Sequence, residues 1–146
     1  MKVYGLGLPK TGTTTLIKAL EILGFTKEDI VVGDYVYFLD RSKFKGKFIL
    51  TVRESPSIWF NSVNKWAKRP DKQSKKLKNQ RLRMYGKRMP EKDLFIDKYL
   101  FHNREMVIKF DPLVVCWERH DGWLELCDYL ELPIPNVPFP HLNKQT

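Results

Sequence analysis

A chain of 146 residues, 42% apolar and 29% charged, has the length of one domain with a real core and is too apolar for a disordered segment. No apolar run reaches the ~20 residues of a membrane span, and residues 1–7 are too short and Gly-rich for a secretory leader. The net charge of +9 sits in one place: residues 65–92 hold twelve Lys/Arg and two acids, while the rest holds fourteen bases and fifteen acids.

Residues 2–7 read as a short buried strand, followed by a Gly/Thr loop and a helix over 14–23. On that helix Leu16, Ala19, Leu20 and Leu23 share a face, and Gly24 is the stop. A second short strand falls at 29–32 and a helical or turn-like piece at 35–40. Residues 48–52, Phe-Ile-Leu-Thr-Val, form the clearest strand. Ser55 then caps a helix that opens at Pro56 and runs to about 68, where Arg69-Pro70 stops it. A basic helix over 72–83, a helix from Pro90 to about 106, a strand at 113–117 and a helix at 122–130 complete the set. The four prolines of 133–140 predict an extended surface tail. Strands alternating with helices imply a three-layer α/β fold with a small, mainly parallel sheet, built as one domain over 1–146.

Two cysteines, Cys116 and Cys127, make neither a disulfide framework nor a Cys-x-x-Cys metal site. They suit a reducing compartment, and a cytoplasmic location is the expectation. The three histidines, His102, His120 and His141, show no metal-ligand spacing.

The chemistry concentrates in Gly7-Leu8-Pro9-Lys10-Thr11-Gly12-Thr13-Thr14-Thr15, between the first strand and the first helix. Glycines admit a ligand close to the backbone, and successive N–H groups meet the positive end of the helix dipole. Thr11, Thr13 and Thr14 add hydroxyls, and Lys10 adds a charge. This composition predicts a phosphate cradle. It is not the nucleoside-triphosphatase loop, because Thr13 stands where that pattern has Lys, and the central strand ends in Arg53 rather than a Mg²⁺-binding Asp. Gly5 and Gly7 begin a dinucleotide fingerprint, but Lys10 takes the place of its third glycine.

Pro9-Lys10-Thr11-Gly12-Thr13-Thr14 resembles the 5′-phosphosulfate loop of sulfotransferases that use 3′-phosphoadenosine-5′-phosphosulfate. Their second motif is a strand ending in Arg with a Ser two helical turns later. Here it is matched by 48–52 with Arg53, then Trp59-Phe60-Asn61-Ser62. The stretches Asp121-Gly122-Trp123-Leu124-Glu125-Leu126-Cys127, Pro133-Ile134-Pro135 and Pro138-Phe139-Pro140-His141-Leu142-Asn143-Lys144 resemble a short-chain branch of the family. The resemblance implies that Pro9, Lys10, Thr11, Gly12, Thr13 and Thr14 hold the 5′-phosphosulfate. Arg53 and Ser62 would hold the 3′-phosphate. The usual spacing falls on Asn61, so a one-residue insertion near Ser55-Pro56-Ser57 is needed for Ser62. Lys10 would stabilise the leaving oxygen. Asp34 and His102, both matched in that branch, are the two candidates for the base. No metal is implied.

The expected partners are the nucleotide sulfate donor and a small-molecule acceptor, with hydroxyl as the expected acceptor group. Two other functions stay open on the sequence. A small-molecule kinase would need Mg²⁺ and a strand-end Asp. A nucleotide- or nucleic-acid-binding protein without turnover would use the basic segment, but residues 72–83 contain no aromatic for base stacking. Trp59, Trp66 and Trp123 are candidates for an adenine stack or for the core. The basic segment is expected to lie beside the cleft as a helical cover.

Overall fold

Side-chain alternation along the strands sets the layers. In a computed structural model, which describes residues 1–141, β1 (Val3–Gly5), β2 (Ile30–Val31), β3 (Lys47–Thr51) and β4 (Leu113–Val115) pair into one all-parallel sheet. Its order is β2-β1-β3-β4. Val3, Ile49 and Val115 pack on one face, and their neighbours Tyr4 and Leu50 on the other, as a period of two requires. The first face is covered by α1 (Thr13–Ile22) and α5 (Trp123–Leu130), whose Leu16, Ala19, Leu20, Leu126 and Leu130 are buried there. The second is covered by α4 (Lys92–Phe110) through Met106. Outside it, α2 (Pro56–Ala67) and α3 (Lys75–Tyr85) pack on α4 around Leu8, Trp59, Phe60, Tyr85 and Phe95. The result is the three-layer α/β arrangement expected.

Several boundaries move, each for a local reason. The basic helix begins at Lys75 rather than 72, because Ser74 accepts the Leu77 N–H as a cap and Pro70–Lys72 form a 3₁₀ turn. The helix after Pro90 starts at Lys92 and continues past 106 to Phe110, whose ring packs on Phe44 and Phe48. The last strand stops at Val115, where the Cys116 N–H turns to the Asp121 carboxylate and Trp117–Arg119 form a 3₁₀ turn. The proline-rich tail is extended, as expected. Trp123 Nε1 donates to the Val137 carbonyl at 2.8 Å, and Phe139 packs on Trp117 and Trp123. The Leu142-Asn143-Lys144 end of the motif lies outside the described residues.

The register puts the site together. Gly5 pairs with Ile49, and Thr51 with Val115. The loop after β1, Arg53 after β3 and the turn after β4 therefore emerge side by side. This is the edge where open parallel sheets bind ligands.

Candidate functional site

Between these three segments lies a cavity of about 530 Å³, within the usual range for a ligand site. Residues 9–15 line it, with Asp34, Val52, Arg53, Ser62, Trp66, Trp117, Glu118, His120 and His141.

The loop is shaped by what holds its carbonyls. Trp59 Nε1 donates to the Pro9 carbonyl at 3.0 Å, Arg53 Nη1 to that of Lys10 at 3.1 Å, and Trp117 Nε1 to that of Gly12 at 3.0 Å. Every peptide bond is trans, so the N–H of each of these peptides points opposite to its carbonyl. The N–H groups of Lys10, Thr11 and Thr13 are thereby turned away from the three anchors. Lys10 and Gly12 both have positive φ, 67° and 96°. A side chain at Gly12 would run into the Trp117 ring, so glycine is required there for packing as well as conformation.

Thr11 plays a different part from the one expected. It is 1% exposed and its hydroxyl donates to the Leu8 carbonyl at 2.6 Å. That leaves Thr51 Oγ1, 2.7 Å away, as the donor to Thr11 Oγ1. The Thr11 hydroxyl is spent inside the loop. Thr13 and Thr14 line the cavity at the start of α1.

The Arg53 side chain is held by four hydrogen bonds to three partners. Its Nη1 donates to Ser62 Oγ at 2.8 Å and to the Lys10 carbonyl, and Nε and Nη2 reach Glu118 at 2.7 and 3.4 Å. Ser62 is buried beside it, whereas Asn61 is exposed. Glu118 also accepts the Glu54 N–H at 3.1 Å. Burial disfavours its charge, but these hydrogen bonds and the charges of Arg53 and Arg119 outweigh that, and its pKa lies below the usual value.

Lys10 and Asp34 face one another across the cavity wall. Burial lowers the Lys10 pKa, assisted by Arg69 and Lys72 and opposed by Asp34. Burial raises that of Asp34 against the pull of Lys10 and Lys72. The Asp34 residue is exposed by surface area, yet protein atoms around it still desolvate the carboxylate. The ammonium is thus easier to deprotonate than usual and the carboxylate more basic than usual.

His102 is placed elsewhere. It is buried on α4, does not line the large cavity, and stands 2.7 Å from the Leu6 carbonyl through Nε2. A carbonyl only accepts, so Nε2 carries the proton. Burial pushes its pKa down to about 4. As a base facing the cavity His102 is therefore withdrawn: the helix turns it inward, under β1.

The basic segment is also less of a cover than expected. Of residues 65–92 only Trp66 lines the cavity, among the described residues, while Lys75 and Lys76 are exposed on α3. Trp59 is fully buried and stacks on Tyr99, so it belongs to the core. His141, from the Pro138–Lys144 stretch that carries the resemblance, lines the cavity, and Trp117, Glu118 and His120 reach it without any spacing that marked them. The nearest signal was the Asp121-Gly122 stretch beside them.

A model of the sulfotransferase domain matches residues 45–146. The chain belongs to the sulfotransferase domain family. The match covers well over half of the chain, including Arg53, Ser62, Glu118 and the tail, and begins after the loop and Asp34. No curated protein matches the chain. The family makes the protein a transferase of sulfuryl groups. Among the described residues no three His, Cys, Asp or Glu side chains group as metal ligands would, and no helix is long and apolar enough to cross a membrane.

Proposed function

We propose that this protein transfers a sulfuryl group from 3′-phosphoadenosine-5′-phosphosulfate to a hydroxyl acceptor, within one domain over 1–146. The observation that carries the reading is the anchoring of three loop carbonyls, of Pro9, Lys10 and Gly12, which presents the opposite N–H groups as an oxyanion cradle. The cavity volume and the cationic Lys10 and Arg53 suit a doubly phosphorylated nucleotide.

When bound, the donor supplies the sulfuryl group. The residues Pro9, Lys10, Thr11, Gly12, Thr13 and Thr14 would hold its 5′-phosphosulfate, Thr11 through its N–H alone. Arg53 and Ser62 would hold the 3′-phosphate, with Asn61 set aside by its exposure. Arg53 enters this role already oriented by Glu118 and Ser62, so little rotamer freedom is lost on binding. Lys10 places a partly desolvated ammonium where negative charge grows on the leaving oxygen, and such a charge acts most strongly in a water-poor site. Asp34 accepts the acceptor's hydroxyl proton, a task its raised pKa favours.

Thermal shift with adenosine 3′,5′-bisphosphate and with AMP tests the reading. A ligand that binds only the native state raises the melting temperature. The bisphosphate is expected to stabilise the protein with or without Mg²⁺, and AMP far less, because AMP lacks the phosphate assigned to Arg53. Equal shifts from the two would remove Arg53 from the site, and a strict need for Mg²⁺ would turn the reading toward a kinase.

A further inference from the structure

Beside Trp66, which lines the cavity while its neighbour Arg81 does not, a buried cation stands without an acid. Arg81 of α3 is 3% exposed. Its Nε donates to the Arg88 carbonyl, and Nη2 reaches only the Lys72 carbonyl at 3.4 Å and Met89 Sδ at 3.7 Å. Its Nη1 has no partner, and no ion pair holds it among the described residues. One helical turn later the Tyr85 hydroxyl, also buried, has no partner either. Residues four apart share a helix face, so two unsatisfied donors lie together. Buried polar groups are nearly always paired, and a buried charge almost invariably so.

The surroundings deepen the deficit. Arg81 Cζ lies 5.8 Å from the centroid of Trp66, the indole that lines the cavity. Lys10 Nζ and Lys72 Nζ approach the same ring at 5.2 and 5.5 Å. Arg69 adds a fourth positive charge near Lys10. The carboxylates that face this group are Asp34 and the exposed Asp71, which Arg69 and Lys72 share at 3.1 and 3.7 Å. Four cations thus meet two acids. With Lys10 committed to the leaving oxygen and Asp34 to the acceptor proton, the positive charge left over belongs to Lys72 and Arg81.

We propose that Trp66, Lys72, Arg81 and Tyr85 form an acceptor subsite for an oxyanion, so that the acceptor is a hydroxyl compound carrying its own negative charge. The inference rests on the sulfuryl-transfer reading for the hydroxyl, but the anion subsite stands on Arg81 and its neighbours. Trp66 offers the acceptor body a flat face beside Lys10 and Asp34, and Lys72 and Arg81 hold its charged end.

The test is a ¹⁵N-resolved titration of the Trp66 indole N–H, assigned with Trp66→Phe. The probes are 4-hydroxyphenylacetate, its neutral isostere 4-hydroxyphenylacetamide, and inorganic sulfate. Each is added with and without saturating adenosine 3′,5′-bisphosphate. The carboxylate is expected to shift the Trp66 signal at about tenfold lower concentration than the amide, the usual scale of a charge-assisted hydrogen bond. The bisphosphate should not displace it. Lys72→Met and Arg81→Met should each erase that preference, and Arg53→Ala should keep it. Arg81→Met should melt no lower than the parent, since it removes an uncompensated charge. Lys72→Met, at a partly exposed position, serves if the Arg81 variant does not fold.

Equal response to carboxylate and amide, or no response to either, overturns the proposal. Response to sulfate alone assigns these cations to the donor's sulfuryl end and overturns it too, as does displacement by the bisphosphate. If the bisphosphate itself does not bind, the donor reading falls. The nucleotide-free titration, with Arg53→Ala as control, still decides the subsite.

Discussion

The arginine that lines the cavity and the arginine packed against Trp66 are treated in opposite ways. Arg53 has its fork filled by Glu118, Ser62 and a loop carbonyl. Arg81 is more deeply buried, yet its Nη1 is unpaired and its neighbours are other cations. A paired arginine costs little and is held in one orientation, which suits a site that must be ready before its ligand arrives. An unpaired buried arginine costs stability that the fold has to supply elsewhere, and such a cost is commonly the mark of a functional group. The contrast separates a preorganised arginine, proposed above to hold the nucleotide, from a buried arginine that lacks an anion.

The sharpest way to break this division is at Asp34, which lines the cavity with Lys10. Asp34→Asn keeps the shape and removes the basicity. Loss of a positioned base costs about 10²–10⁴ in rate, so kcat should fall on that scale while the Kd of adenosine 3′,5′-bisphosphate stays nearly constant. Because burial raises the Asp34 pKa, the acid limb of the parent's kcat/KM profile should lie above the ordinary carboxylate range. Full activity in the variant would mean that the acceptor needs no protein base.

Lys10→Ala tests the other member of that pair. Removal of one preorganised electrostatic group costs about 10²–10³ in kcat. Binding of the desulfated bisphosphate should weaken far less, because the charge matters most when the leaving oxygen becomes anionic. Equal losses in binding and turnover would make Lys10 a ground-state binder. Intact turnover would leave it a residue of the fold.

His102 supplies a third test, of stability. The native state holds it neutral with a pKa of about 4, against 6.5 for the free side chain. Between those values the unfolded chain binds a proton that the native chain does not. Stability from this group is therefore full above pH 6.5 and is lost as pH falls toward 4, by up to ~3 kcal/mol. His102→Gln can still donate to the Leu6 carbonyl but does not titrate. Chemical denaturation of both proteins from pH 7 to pH 4.5 should show the parent losing stability faster. Parallel curves would mean that His102 titrates in the fold as it does in water.

How much of this was legible depends on sequence distance. The phosphate loop, the Ser55 cap and the Arg53 strand end are written in consecutive residues, so local reading found them. Ser62 was chosen over Asn61 on the assumption of one inserted residue, and the helix brings Ser62 to Arg53. Glu118, Trp117 and His120 meet the loop only because β4 pairs beside β3. That closure spans more than a hundred residues from Gly12 to Trp117 and leaves no local trace. Asp34 was favoured over His102 because it stands just beyond a strand's C-terminal end, but the face of His102 was not legible, since half a turn of helix rotation decides whether a histidine faces the cleft or the sheet. Arg81 was counted among twelve basic residues of one segment, and only burial sets it apart.

The smallest expected effect concerns the buried hydroxyl pair under the loop. Thr11 donates to the Leu8 carbonyl and accepts from Thr51, so the two threonines are not equivalent. Thr51→Val keeps the volume and removes one hydrogen bond into an oxygen that still has its own acceptor, at a cost of about 1 kcal/mol. Thr11→Val strips a donor from the Leu8 carbonyl and a partner from the Thr51 hydroxyl at once. It should cost about 1–3 kcal/mol, because buried groups left unpaired carry the larger penalty. Neither change touches the Thr11 N–H that the cradle uses. Denaturant unfolding should therefore rank Thr11→Val below Thr51→Val, while both folded variants bind adenosine 3′,5′-bisphosphate close to the parent's affinity. If Thr11→Val instead lost nucleotide binding at unchanged stability, its hydroxyl would belong to the ligand, and the loop would be less completely paired from within than its partners indicate.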